Sequence, residues 1–191
     1  FDYRGGSYFS KSDGKTTEMS LLTEIDDLKC VIEASKSWNF VDKDKIILMG
    51  ASLGGTVSAL TAAIKNDEIF ALILLYPGFL MIKGIHEMFN TLDNVPDKLK
   101  FKDWIMVDKK FITDVWDIDL YKDISNYKRP VLIIHGDSDK IVPIHYSKDA
   151  LKVYNNAKLK IINGADHIFR GDDLKKASFY ILEFLKEIMS K

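Results

Sequence analysis

The chain has 191 residues, 47% of them hydrophobic and 29% charged, with a formal net charge of -1. That is enough for one core of ordinary size and too little for two. Near-zero charge with the signs interspersed gives no footprint for nucleic acid or an anionic membrane. The longest apolar run, from Phe70 to Ile82, is too short to span a bilayer and is broken by Pro77-Gly78.

The chain begins at Phe1, and "FDYRGGS" reads as the end of a strand entering a glycine-rich loop, so earlier strands are expected to precede it. No signal peptide is visible. After a polar loop, Ser20 is a plausible N-cap, and Leu21, Leu22, Ile25, Leu28, Val31 and Ile32 recur at helical spacing, ending near Trp38. The one cysteine, Cys30, rules out an intrachain disulfide. A lone thiol in a helical pattern reads as a small buried hydrophobe, and it favours a reducing, cytoplasmic location. "KIILMG" (45–50) suits a buried parallel strand, followed by a helix from Leu53 to about Asn66 whose Ala, Ser and Thr allow close packing.

"ALILLYPG" (71–78) is a second buried strand, stopped by Pro-Gly. "PVLIIHG" (130–136) precedes a helix from about Ile144 to Tyr154, and "KLKIING" (158–164) precedes a last helix from about Asp173 to Met189. Strand and helix alternate, so the fold class is α/β with a mostly parallel sheet flanked by helices. Residues 79–127 break the alternation. A stretch of that length inside a compact domain reads as a functional insertion, here a small cap on a core formed by 1–78 and 128–191.

Gly50-Ala51-Ser52-Leu53-Gly54 fits G-x-S-x-G with a strand before it and a helix after it. A sharp strand-to-helix turn strains its central residue and crowds the neighbouring backbone, so glycines must flank it. The serine oxygen then projects clear of the sheet, and the N–H of Leu53, at the positive end of the helix, can donate to a developing oxyanion. A serine hydroxyl is a weak nucleophile on its own, and in this arrangement the acid and then the histidine follow it in the chain. His86 and His135 precede any suitable acid, and His145 lies only a few residues beyond one. His167, in the loop "NGADHIFRG" after the last strand, is the preferred base. "HGDSDKIVP" offers Asp137 and Asp139 at the end of the preceding strand. One would orient the histidine and the other would hold the turn through its own backbone. Asp166, beside the histidine, is a weaker candidate. Physics alone leaves Asp137 and Asp139 open.

Taken in order, "GASLGG", "HGDSDKIVP" and "GADHIF" resemble the α/β-hydrolase superfamily over nearly the whole chain. The resemblance implies an acid at Asp139, from the family pattern HG-x-x-D followed by V-P, and thus a triad of Ser52, Asp139 and His167 with Leu53 as an oxyanion donor. "FDYRGGSYFSKSDG", "VPDKLKFKDW" and "DLYKDISNYKRPVLIIHGDSDKIVP" are similar to bacterial cinnamoyl (feruloyl) esterases, which hydrolyse hydroxycinnamate esters and carry a small cap between the sixth and seventh strands. The superfamily's third strand and its histidine-glycine loop, the source of a second oxyanion N–H, would precede Phe1. Without that strand "KIILM" would be an unpaired apolar edge, and these residues alone are expected to be poorly soluble and nearly inactive.

The function expected is that of a serine hydrolase acting on carboxylic esters through an acyl-enzyme. Phe79, Met88, Phe89 and Trp104 of the cap are candidates to bind an aromatic acyl group. The rival readings are a general carboxylesterase or monoacylglycerol-lipase-like enzyme, a serine peptidase of the same fold, and a non-catalytic relative. No cofactor or metal is expected. The partner is a small-molecule ester, with neither nucleic acid nor membrane, and the oligomeric state, a dimer included, stays open.

Overall fold

The structure is a computed structural model and describes residues 1–6, 10–101 and 105–190. In chain order the elements are α1 (Leu21–Ser35), β1 (Ile47–Ala51), α2 (Leu53–Ile64), β2 (Ala71–Leu75), α3 (Met81–Met88), β3 (Lys98–Phe101) and β4 (Ile105–Asp108). They continue with α4 (Lys110–Thr113), α5 (Leu120–Ile124), β5 (Val131–Gly136), α6 (His145–Val153), β6 (Ala157–Ile162) and α7 (Gly171–Met189). The chain clusters into two compact units, one formed by 1–39 with 81–119 and the other by 40–80 with 120–191.

The second unit holds a four-stranded sheet in the order β1-β2-β5-β6, and every pair in it is parallel. Val131 to Gly136 are buried without a break, which is what a central strand covered on both faces requires. Alternate residues sort to opposite faces. Ala71 and Ile73 of β2 and Leu132 and Ile134 of β5 share one face, packed with Ala177, Phe184 and Ile188 of α7. Helix α2 lies against β1 and β2, and its residues from Gly55 to Ala62 are all buried. Small side chains let its backbone approach the sheet. β1 is an edge, with β2 as its one neighbour among the described residues, and Met49 is 60% exposed there. Parallel order leaves the carboxyl ends of β1, β2 and β5 together at one end of the sheet, where open α/β sheets gather their chemistry.

In the first unit, Ser20 caps α1 reciprocally: its hydroxyl accepts from the Thr23 N–H at 3.3 Å and its own N–H donates to Thr23 Oγ1 at 2.9 Å. The insertion is more regular than its sequence suggests. β3 and β4 form an antiparallel pair, Lys98 opposite Asp108, and Thr16 Oγ1 donates to the Met106 carbonyl at 2.6 Å. Each strand is four residues long, too short to show a period against its charged surroundings.

Cys30 is exposed, contrary to the expectation of a buried thiol. Leu21, Glu24, Ile25, Leu28 and Ile32 line the buried face of α1, and Cys30, two residues from Ile32, points about 200° away around the helix. Glu24 on that face is 3% exposed, and its Oε2 has no partner among the described residues. Burial first, and the charge of Asp27 second, push its carboxyl up to about 8. A carboxyl that is harder to ionise folded than unfolded supports the fold fully below its unfolded pKa. It loses that contribution as the pH rises toward the folded value. Wild-type stability is therefore expected to fall by on the order of 3 kcal/mol between pH 5.5 and pH 8.5 from this group. Glu24→Gln should lack this pH dependence, as urea unfolding at the two pH values would measure.

Candidate active site

The turn from β1 into α2 sets Ser52 at φ 51 and ψ -123, a conformation that L side chains seldom adopt. Backbone hydrogen bonds hold it. Its N–H donates to the Leu75 carbonyl at 3.0 Å, and its carbonyl accepts from the N–H of Gly78 at 2.7 Å and of Gly55 at 3.0 Å, with the Thr56 N–H adding a longer bond to it at 3.4 Å. A Cβ on Gly50 would run into the Gly54 carbonyl and Ser58 Oγ, so the glycine is required by the close approach of the two ends of the turn. Leu53 opens α2, and its N–H has no acceptor among the described residues.

Two loops bring the other groups to Ser52. The loop after β5 carries Asp137 and Asp139, and the loop after β6 carries His167. They are tied together: Ser138 N–H donates to the Ala165 carbonyl at 3.1 Å, and Gly164 N–H donates to Asp137 Oδ1 at 2.7 Å. A Cβ on Gly136 would collide with the Ala165 backbone. Asp137 thus pins one loop to the other, while Asp139 reaches the imidazole. His167 Nδ1 lies 2.8 Å from Asp139 Oδ2, and His167 Nε2 lies 2.9 Å from Ser52 Oγ.

Asp139 Oδ1 accepts the N–H groups of Ile141 and Val142, each at 2.8 Å. Its side chain is fully buried. Burial drives its pKa upward, but the Val142 N–H, His167 and the Ile141 N–H together outweigh that and hold the carboxyl below its ordinary range. Asp166 accepts the backbone N–H of its neighbour His167 at 2.7 Å, so it braces the loop. Of the remaining histidines, His86 bonds the Trp116 carbonyl at 2.9 Å and His145 stacks on Tyr146 at 4.1 Å.

Two residues of the site escape a reading by chain order. His135 precedes every acid candidate in sequence, yet its Nε2 sits 3.1 Å from Asp139 Oδ2, because the loop after β5 turns back on the strand. Tyr76, which follows β2, has φ 36, and its ring lies 4.8 Å from the His167 ring and 4.8 Å edge-on from Phe169. Burial, then the charge of Asp139, pushes its phenol up. Its place at the carboxyl end of a central strand is the sequence signal that points to it.

Among the acyl-binding candidates, Phe79 is 1% exposed and packs edge-on to Tyr121 at 6.4 Å. Met88 and Phe89 belong to the other unit, where Met88 is exposed and Phe89 half-buried. Trp104 lies outside the described residues. Among the described residues no three His, Cys, Asp or Glu side chains group to hold a metal ion, and no helix is long and apolar enough to cross a membrane.

A sequence model of the prolyl oligopeptidase family matches residues 1–191. Human protein ABHD12B is 29% identical over 162 residues, which are 82% of this chain and 41% of ABHD12B. The chain thus spans less than half of that curated relative. Est1E from Butyrivibrio proteoclasticus, solved with ferulic acid bound, is 30% identical and superposes with a TM-score of 0.90 over all of this chain and 76% of Est1E. Alpha/beta hydrolase domain-containing protein 10 from mouse, 19% identical, has a TM-score of 0.75 over 98% of this chain and 77% of its own. The fold is the α/β-hydrolase fold.

Proposed function

The chain belongs to the prolyl oligopeptidase family, and on that premise we propose that it acts as a serine hydrolase on carboxylic esters of small molecules, hydroxycinnamate (feruloyl) esters among them. The observation that supports this most is the unbroken relay from Ser52 Oγ to His167 at 2.9 Å and from His167 to Asp139 at 2.8 Å.

In the proposed reaction Ser52 Oγ attacks the ester carbonyl while His167 Nε2 takes its proton. Asp139 accepts from Nδ1–H, which fixes the tautomer that leaves Nε2 free, and it stabilises the imidazolium. The N–H of Leu53 faces the developing oxyanion, and such a donor is worth roughly 3 kcal/mol. His167 returns the proton to the leaving alcohol. It then activates water against the acyl-enzyme, and the acid is released. Residues 79–127 are proposed as the cap that selects the acyl group, with Phe79, Met88, Phe89 and Trp104 as contacts.

The family match itself favours a second reading, a peptidase on the same site. A panel of methyl ferulate, a short-chain aliphatic ester and a prolyl peptide amide, given to the full-length protein, separates the readings. Preference for methyl ferulate by kcat/KM is the expected result. Preference for the aliphatic ester leaves a general esterase, and turnover of the amide alone removes the ester reading.

A further inference from the structure

His135 is fully buried at the end of β5, and the reaction described above gives it no task. Its Nε2 lies 2.9 Å from the Val142 carbonyl and 3.1 Å from Asp139 Oδ2, two acceptors with no proton to give. Nε2 must therefore carry the hydrogen. On the other side, Nδ1 lies 2.7 Å from Ser147 Oγ, a hydroxyl in the first turn of α6. Burial, working against the Val142 carbonyl and Asp139, lowers the basicity of His135 and keeps it neutral. Nδ1 is then an acceptor, and the Ser147 hydroxyl donates to it.

The consequence falls on the carboxylate. Asp139 has about four lone-pair sites, and four N–H groups meet them: Ile141 and Val142 on Oδ1, His167 and His135 on Oδ2. Three of those donors belong to its own loop and strand. Without His135, Oδ2 would keep His167 as its single partner and the carboxyl group could turn away from the His167 ring. Val142 closes the clamp, since its N–H holds Oδ1 while its carbonyl fixes His135.

We infer that His135, fixed in one tautomer by the Val142 carbonyl and Asp139 and held at Nδ1 by the Ser147 hydroxyl, is a positioning residue that holds Asp139 in the orientation His167 needs. The inference rests on reading Ser52, His167 and Asp139 as a working triad. His135 touches neither substrate nor the reacting atoms; it acts through the carboxylate.

The test compares full-length wild type with His135→Phe, His135→Gln and Ser147→Ala. Glutamine places an N–H near the position of Nε2; phenylalanine fills the space without one. Thermal melts establish that each variant is folded. With p-nitrophenyl acetate, His135→Phe should lower kcat by about 10- to 100-fold while KM stays within about twofold. His135→Gln should recover most of that loss, and Ser147→Ala should fall between. In proton NMR, the low-field resonance of the N–H between His167 and Asp139 should move in the Phe variant and return in the Gln variant. Equal impairment by Phe and Gln, or a Phe variant with wild-type kcat and an unmoved resonance, overturns the inference. Should the Phe variant not fold, wild-type turnover and an unmoved resonance in Ser147→Ala overturn it instead. A wild type with no turnover and no labelling of Ser52 by a fluorophosphonate refutes the triad reading by itself. The resonance still decides the role of His135 in that case.

Discussion

Replacing Ser52 with alanine is expected to lower kcat by roughly 10⁵- to 10⁶-fold and to leave the melting temperature nearly unchanged. The size of the loss follows from the division of labour in the site. Without Oγ no acyl-enzyme forms, and what remains is the residual catalysis of a bound ester by the oxyanion donor and a general base. The small effect on folding follows from the turn. Its strain at φ 51 is held by the backbone bonds to Leu75, Gly78 and Gly55, none of which uses the hydroxyl, and alanine keeps the Cβ. Steady-state kinetics with an activated ester, beside a thermal melt, measures both halves. A variant within tenfold of wild type would mean that another group is the nucleophile.

Asp139→Asn is expected to cost about 10⁴-fold in kcat, and here the geometry makes the asparagine a poor fit in either amide orientation. With its NH₂ at the Oδ1 position it would face the N–H groups of Ile141 and Val142. With its NH₂ at the Oδ2 position it would face His167 and His135. Donor meets donor both ways. The simplest relief is for His167 to move its proton to Nε2, which then points a hydrogen at Ser52 instead of a lone pair. The variant should also lose on the order of 1–3 kcal/mol of stability at neutral pH, from buried donors left unpaired. The wild-type carboxylate is easier to ionise folded than unfolded. Its contribution is thus complete above the unfolded pKa and is lost as the pH falls through the lower folded value. The stability gap between wild type and Asp139→Asn should therefore narrow in acid. Near-normal turnover by the variant would remove Asp139 from the relay.

Those parts of the molecule whose pattern is local were legible in the sequence. "LILL" and "VLII" are buried on both faces and read as strands with no further information. The stripe of α7, Ala177, Phe184 and Ile188 included, reads as a helix laid on a sheet. Ser52 stood out because a cramped turn demands glycines on either side of it. β3 and β4 did not stand out. Four residues cannot establish a period, and Lys98 and Lys100 mask what there is. Nothing local joins residues 1–39 to 81–119 either, since that grouping depends on contacts such as Thr16 with Met106 and Ser20 with Asp114.

The acid shows where such reading runs out. Asp137 and Asp139 are the same chemical group, two residues apart in one loop. What separates them is the register of β5 on β6, which pairs Gly136 with Ile162 and sets Asp137 beside Gly164. Asp139 is thereby left facing His167. His135 was missed for a related reason. Chain order says which groups follow which, and only the returning loop says that a strand residue lies against the carboxylate four positions on. Ser147, within the polar run "HYSKD", carries no local mark of its bond to His135 either.

The central claim is that His167 activates Ser52, and its most direct measurement is mass spectrometry of the full-length protein after exposure to a fluorophosphonate. A single adduct on the peptide containing Ser52, formed by wild type and lost in His167→Ala, is the predicted result. No adduct on wild type, or an adduct that forms as fast without the imidazole, would contradict it.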